Sequence, residues 1–153
     1  MTTNLAISIE PGTQADIDWC TRLMASTEPW LTLRPSPQAC EAVFRRAGCE
    51  LFLAREAETN LGFILLQANG LAGSPYVGAI AVSAEARGKG VGSQLLAFAE
   101  QHYPAARNIF LCVSDFNSGA IALYKRVGYE QVGVLTNYIV EGHDELIMRK
   151  RLK

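Results

Sequence analysis

Residues 77–92, VGAIAVSAEARGKGVG, constrain the fold more than any other stretch of this 153-residue chain. Val77 to Val82 is a short, nearly continuous apolar run, as expected of a strand covered on both faces. A small and polar break follows at residues 83–86. Arg87, Gly88, Lys89, Gly90, Val91 and Gly92 then open a segment, residues 91–102, in which Val91, Leu95, Phe98 and Ala99 recur at helical spacing. A strand, a glycine-rich turn and a helix start leave several backbone N–H groups where an anion can approach. Alternate glycines remove the side chains that would block it, and Arg87 and Lys89 add positive charge. The stretch reads as a cradle for a diphosphate.

The remainder of the chain fits one α/β domain over residues 1–153. Its length suffices for a good core, and 49% apolar with 19% charged residues is the composition of a globular enzyme. A formal net charge of -1 gives no global attraction to nucleic acid or to an anionic membrane. The first residues lack the basic and apolar regions of a signal peptide, and no apolar run nears the ~20 residues of a membrane span. Cys20, Cys40, Cys49 and Cys112 are scattered, without a CxxC pair, and only His102 and His143 could assist them. The expectation is therefore no metal, reduced thiols and a cytoplasmic setting.

In chain order, residues 5–9 read as a strand stopped by Pro11 and Gly12. Thr13 is placed to cap a helix over residues 14–26, with Ile17, Cys20 and Met24 as its inner stripe. Residues 28–37 carry Pro29, Pro35 and Pro37 and are expected to be irregular. A helix over residues 37–47 would turn Ala39, Val43 and Phe44 inward and end at Gly48. Residues 50–56 and 61–68 read as antiparallel strands, and residues 69–75 as a loop before the central strand. Pro104 stops the following helix; residues 108–114 give another buried strand, and residues 115–118 cap a helix over 119–127. Residues 129–138 and 145–150 close the chain as a hairpin pair. The sum is a mixed, mostly antiparallel sheet of about seven strands flanked by four helices.

Two motifs in this order resemble the GCN5-related N-acetyltransferase (GNAT) family. Residues 87–92 match its pyrophosphate-loop pattern, [RQ]-x-x-G-x-[GA]. Asn117, Ala120, Leu123, Tyr124, Gly128 and Tyr129 match its N-x-x-A-x-x-L-Y-x-x-x-G-[FY] helix. Either motif alone is a modest signal, since a glycine-rich turn after a strand is often only a turn. Together, separated by one helix and one strand, they are specific.

The resemblance implies an acetyl-CoA-dependent N-acetyltransferase acting on a primary amine by direct attack in a ternary complex. Arg87, Gly88, Lys89, Gly90, Val91, Gly92 and Ser93 would hold the diphosphate of acetyl-CoA. Ile80, Ala81 and Val82 would lie along its pantetheine arm, and Asn117 would sit near that arm. Tyr124 would protonate the departing thiolate. Glu28, Trp30 and Tyr138 would belong to the acceptor site, between the early helical loop and the last hairpin. Homodimers are common in the family.

One departure stands out. A branch acetylating ribosomal-protein alanine carries a glutamate base on the strand before the Asn, where this chain has Cys112. Cys112 reads as a core residue. A base would then come from Glu28, Asp115, Glu141, His143 or water. An alternative keeps CoA binding without catalysis, as a sensor or interaction module. The acceptor amine and the length of the acyl group are not legible from these residues.

Overall fold

The structure, a computed structural model, describes residues 6–153. Seven strands form one open sheet: β1 (Ile7–Pro11), β2 (Cys49–Glu56), β3 (Thr59–Leu71), β4 (Ser74–Val82), β5 (Asn108–Ser114), β6 (Glu130–Leu135) and β7 (Glu145–Arg151). Their order across the sheet is β1-β2-β3-β4-β5-β7-β6. Every neighbouring pair is antiparallel except β4 and β5, which are parallel. Four helices flank the sheet: α1 (Gln14–Ala25), α3 (Pro37–Phe44), α4 (Val91–His102) and α5 (Ser118–Arg126), with a single-turn helix α2 (Trp30–Leu33) between the first two.

The sheet separates two cores. On one face Val91, Leu95, Leu96 and Ala99 of α4 and Tyr124 of α5 pack against Phe52, Ile64, Leu66, Val77 and Leu111. On the other, Ile17, Cys20 and Met24 of α1 and Cys40 and Phe44 of α3 pack against Leu53, Phe63, Leu65, Ala79 and Ala81. Apolar strands with both faces covered are what the central run requires. Register slips between Leu65 and Leu66, whose partners are Ala79 and Val77, so Gly78 is the extra residue of a bulge in β4. This bulge is why Val77 and Ala79, two apart, serve opposite cores.

Helix starts follow local chemistry. Asp16 Oδ2 accepts from the Thr13 N–H at 2.7 Å, and Ser36 Oγ accepts from the Ala39 N–H at 3.0 Å, with Pro37 in the first turn. Asp16 also meets Arg55 of β2 at 2.7 Å, tying the start of α1 to the sheet.

Several expectations need adjustment. Leu5, placed in the first strand, lies outside the described residues, and β1 runs on to Pro11. Among residues 28–37, Trp30–Leu33 do form one turn: Glu28 accepts from the Thr32 N–H at 3.1 Å and its hydroxyl at 2.7 Å. Arg34 in the left-handed region, before Pro35, ends that turn. Helix α3 stops at Phe44 and buries Cys40 with Phe44, leaving Ala39 exposed. The loop at 69–75 is a tight turn instead, because Ala72 (φ 51) and Gly73 (φ 77) both take the left-handed conformation and Leu71 pairs with Ser74. Strand β6 ends at Leu135, and the connection to β7 is irregular.

Candidate active site

Strands β4 and β5 touch only at one end. Their paired positions are Tyr76 with Phe110 and Val77 with Leu111, and beyond these the strands part. The wedge between them opens into a cleft of about 1380 Å³ that reaches from the turn before α4 to the connection between β6 and β7. Its lining is more apolar than polar and collects residues from both ends of the chain.

At one end stands the glycine turn. Gly88 (φ +76) and Gly90 (φ +82) occupy the left-handed region, and a Cβ on either would enter open space. The glycines are needed for the backbone path, and the open space beside them is room for a ligand. Gln94 is the first residue of α4 whose N–H reaches back, to the Gly90 carbonyl at 3.0 Å. The N–H groups of Val91, Gly92 and Ser93 therefore have no partner within the helix, and all three residues line the cleft. Arg87 lines it as well; Lys89 is exposed and does not. Gly92 packs against α5 in addition, a Cβ there lying 3.1 Å from Leu123. Backbone donors, a helix N-terminus and one arginine fit a diphosphate.

The wedge itself exposes backbone. Ser83 donates its N–H to the Leu61 carbonyl of β3 at 2.8 Å. Peptide groups alternate sides along a strand, so Ala81 also turns its peptide groups to β3. Ile80 and Val82 turn theirs into the wedge, where β5 has already left. All three residues line the cleft. A linear chain carrying amides fits there as an additional strand would.

Helix α5 closes one side. Asn117 is its N-cap residue, yet its side chain makes no capping bond, and it lines the cleft with Tyr124. Tyr124 is 6% exposed, and burial pushes its phenol above the ordinary tyrosine value. Tyr103 and Tyr129 bury their hydroxyls without a hydrogen-bond partner; the Tyr124 hydroxyl is not sealed in this way.

The opposite end is built from side chains. Trp30, Leu31 and Leu33 of α2, Cys40 and Val43 of α3, and Tyr138, Ile139 and Val140 of the β6–β7 connection line it. Tyr138 is 66% exposed. Glu28 lines this end, with its carboxylate engaged by Thr32. Asp115, Glu141 and His143 do not line the cleft; Asp115 and His143 pair with each other at 3.1 Å. Cys112, expected in the core, is half-buried on the cleft wall beside Tyr76, and burial raises its thiol pKa.

Two cleft residues escaped the sequence reading. Tyr76 precedes the apolar run that marks β4, and burial pushes its phenol up. Glu145 begins β7 and is 8% exposed, with Ser114 Oγ donating to its Oε2 at 2.5 Å. Nothing local marks it, because the β5–β7 pairing that sets Ser114 opposite Glu145 spans thirty-one positions. Burial lifts its carboxyl above the ordinary glutamate value, the Ser114 bond works against this, and Asp115 adds to it. Among the described residues no His, Cys, Asp or Glu cluster is placed to hold a metal ion, and the cysteines are unpaired. No helix among them is long and apolar enough to cross a membrane.

The chain has relatives among known proteins. An N-alpha-acetyltransferase of Sulfurisphaera tokodaii is 37% identical over 76 residues, covering 48% of this chain and 46% of the relative. The chain spans less than half the length of the curated relatives it matches, 41% for one from Mycobacterium leprae. Among solved structures, the ribosomal-protein-S18-alanine N-acetyltransferase of Escherichia coli superposes with a TM-score of 0.78 at 19% identity, covering 96% of this chain and 94% of its own. An aminoglycoside 6'-N-acetyltransferase complexed with coenzyme A gives 0.76 at 15%, covering 95% and 97%. At such identities these two show the shared fold. The model of the acetyltransferase (GNAT) family matches residues 15–129, three quarters of the chain, and with it the turn, the wedge and α5. The chain belongs to the acetyltransferase (GNAT) family.

Proposed function

We propose that the protein transfers an acetyl group from acetyl-CoA to a primary amine. The observation that carries this reading is the continuity of one cleft, from the glycine turn along the unpaired edge of β4 to Tyr124. Acetyl-CoA would bring a thioester, whose carbonyl carbon is open to attack by a neutral amine. Val91, Gly92 and Ser93 would bind its diphosphate through their N–H groups, with Arg87 supplying charge. Ile80 and Val82 would pair with the amides of the pantetheine arm, and Asn117, free of capping, would bind beside it. Tyr124, kept protonated by burial, would hand its proton to the departing sulfur. Trp30 and Tyr138 would flank the acceptor.

The acceptor end combines apolar side chains with two carboxylates, Glu28 and Glu145, which suits a primary ammonium attached to a group with an apolar face. The test is thiol release from acetyl-CoA against peptides with free N-termini, lysine peptides, polyamines and aminoglycosides, run beside a CoA titration. Release stimulated by one acceptor class is expected. CoA binding without stimulated release by any amine would replace the enzyme by a CoA-binding module, and failure to bind CoA would remove the reading altogether.

A further inference from the structure

We infer that Glu145 is the general base of the transfer, taking the proton from the acceptor's ammonium group at the wall of the cleft; the inference rests on the acyl-transfer reading above. Cys112 stands at the strand position where a related branch carries its glutamate, and the geometry moves the carboxylate one strand over. Glu145 pairs with Ser114 across β5 and with Leu135 across β6, which places it at the strand ends bordering the wedge.

Only two carboxylates line the cleft among the described residues, Glu28 and Glu145. Glu28 is exposed and spends both oxygens on Thr32. Glu145 is buried, and its Oε2 is fixed by Ser114. Its Oε1 has no protein partner among the described residues and is not shut off from solvent. No lysine, arginine or histidine among them forms an ion pair with it. A buried carboxylate without a cation is costly unless something supplies one, and a substrate ammonium does so while presenting the proton to be removed.

The surrounding ionisable groups favour this role. Asp115, at the end of β5, is negative and raises the Glu145 pKa, while Asp115 itself is occupied by His143 and the Asp144 N–H at 2.9 Å. Cys112 and Tyr76 line the same cleft, and burial pushes both of their pKa values up, so both are neutral near pH 7; Tyr138 lines it as well. An upward shift makes Glu145 a stronger base than an exposed glutamate. The protons balance as follows. One passes from the ammonium to Glu145 and on to solvent, and the nitrogen lone pair forms the C–N bond as the C–S bond breaks. The nitrogen's next proton replaces the one that Tyr124 gives to sulfur.

The test compares wild type, Glu145→Gln and Ser114→Ala, using acetyl-CoA and the alkylamine of the panel that turns over. CoA affinity should be the same in all three. Glu145→Gln should lower kcat/KM by about 100-fold at pH 7, and the deficit should shrink as pH approaches the amine's own pKa, where the amine sheds its proton unaided. A deficit constant across pH would show a structural role and overturn the assignment, as would unchanged kinetics. Ser114→Ala removes a donor to the carboxylate, so the acid limb of the pH profile should move upward; an unmoved limb also counts against Glu145. Wild-type turnover with an unaffected Glu145→Gln defeats this inference alone, whereas no turnover with any amine defeats the acyl-transfer reading with it.

Discussion

The two ends of the cleft are made of different material. The turn before α4 and the free edge of β4 present backbone: N–H groups at a helix start, glycines in the left-handed region, and the peptide groups of Ile80 and Val82. The far end presents side chains drawn from α2, α3, β7 and the β6–β7 connection. Backbone recognition reads a group that every substrate pair would share. Side-chain recognition, under the proposed function, would read what differs among acceptors. A fold built this way keeps one end constant while the other changes by substitutions in loops that carry little of the core.

The largest effect should come from separating backbone path from backbone function. Gly90 and Gly48 share the same φ of +82°, and a Cβ on either meets nothing within 4 Å. Valine at either position costs about 1–2 kcal/mol of strain. Only Gly90 lines the cleft, so Gly90→Val should abolish CoA binding at concentrations that saturate wild type, while Gly48→Val should melt at a similarly lowered temperature and bind CoA normally. Equal CoA affinity in the two variants would break the comparison at its stronger end.

This contrast also explains what was legible in the sequence. The glycine turn, the strand before it and α4 could be read because their constraints are local: residues that need each other are neighbours in the chain. The same holds for Asn117 and Tyr124, two turns apart on one helix. Cys40 replaced Ala39 as the inward residue of α3 because the rotation of a short helix is set by the sheet beneath it. The 72–73 turn was hidden because Ala72 gives no sign that it adopts positive φ. Glu145 was hidden more deeply, since its meaning depends on which strand lies beside β7.

Tyr124 bridges the two ends, and its removal should affect rate without affecting grip. Tyr124→Phe leaves the ring in its buried place and deletes the hydroxyl. The expected result is a fall in kcat of about 100-fold with CoA affinity unchanged. Unaltered turnover would take Tyr124 out of the proton path and leave it as a packing residue between α5 and Tyr129.

At the acceptor end the effects should be smaller and confined to the amine. Trp30→Ala removes a half-buried ring worth about 1–2 kcal/mol of contact, so KM for the acceptor should rise roughly tenfold. Tyr138 is largely exposed, and Tyr138→Ala should raise it only about threefold, on the same scale. Both variants should bind CoA as wild type does. A loss of CoA affinity in either would mean that the two ends are not independent.

The smallest effect tests whether the acceptor wall depends on a tether outside it. Helix α1 carries Met24 to the cleft, and its other end is held by Asp16, which accepts from Thr13 and pairs with Arg55 at 2.7 Å. Burial pushes the Asp16 carboxyl up, but the Thr13 hydrogen bonds and the Arg55 charge outweigh burial and hold its pKa below the ordinary aspartate value. A lowered pKa means that folding favours the ionised form, so its stabilisation is present above about pH 4 and is lost as pH falls through the lowered value. Asp16→Asn should therefore cost about 1 kcal/mol at pH 7, and the gap to wild type should close in acid. Because the tether serves α1 and not α4, CoA affinity should stay fixed while acceptor KM shifts slightly. A gap that persists once Asp16 is fully protonated would assign the effect to packing or capping instead of charge, and a shift in CoA affinity would show that the sheet transmits strain from one end of the cleft to the other.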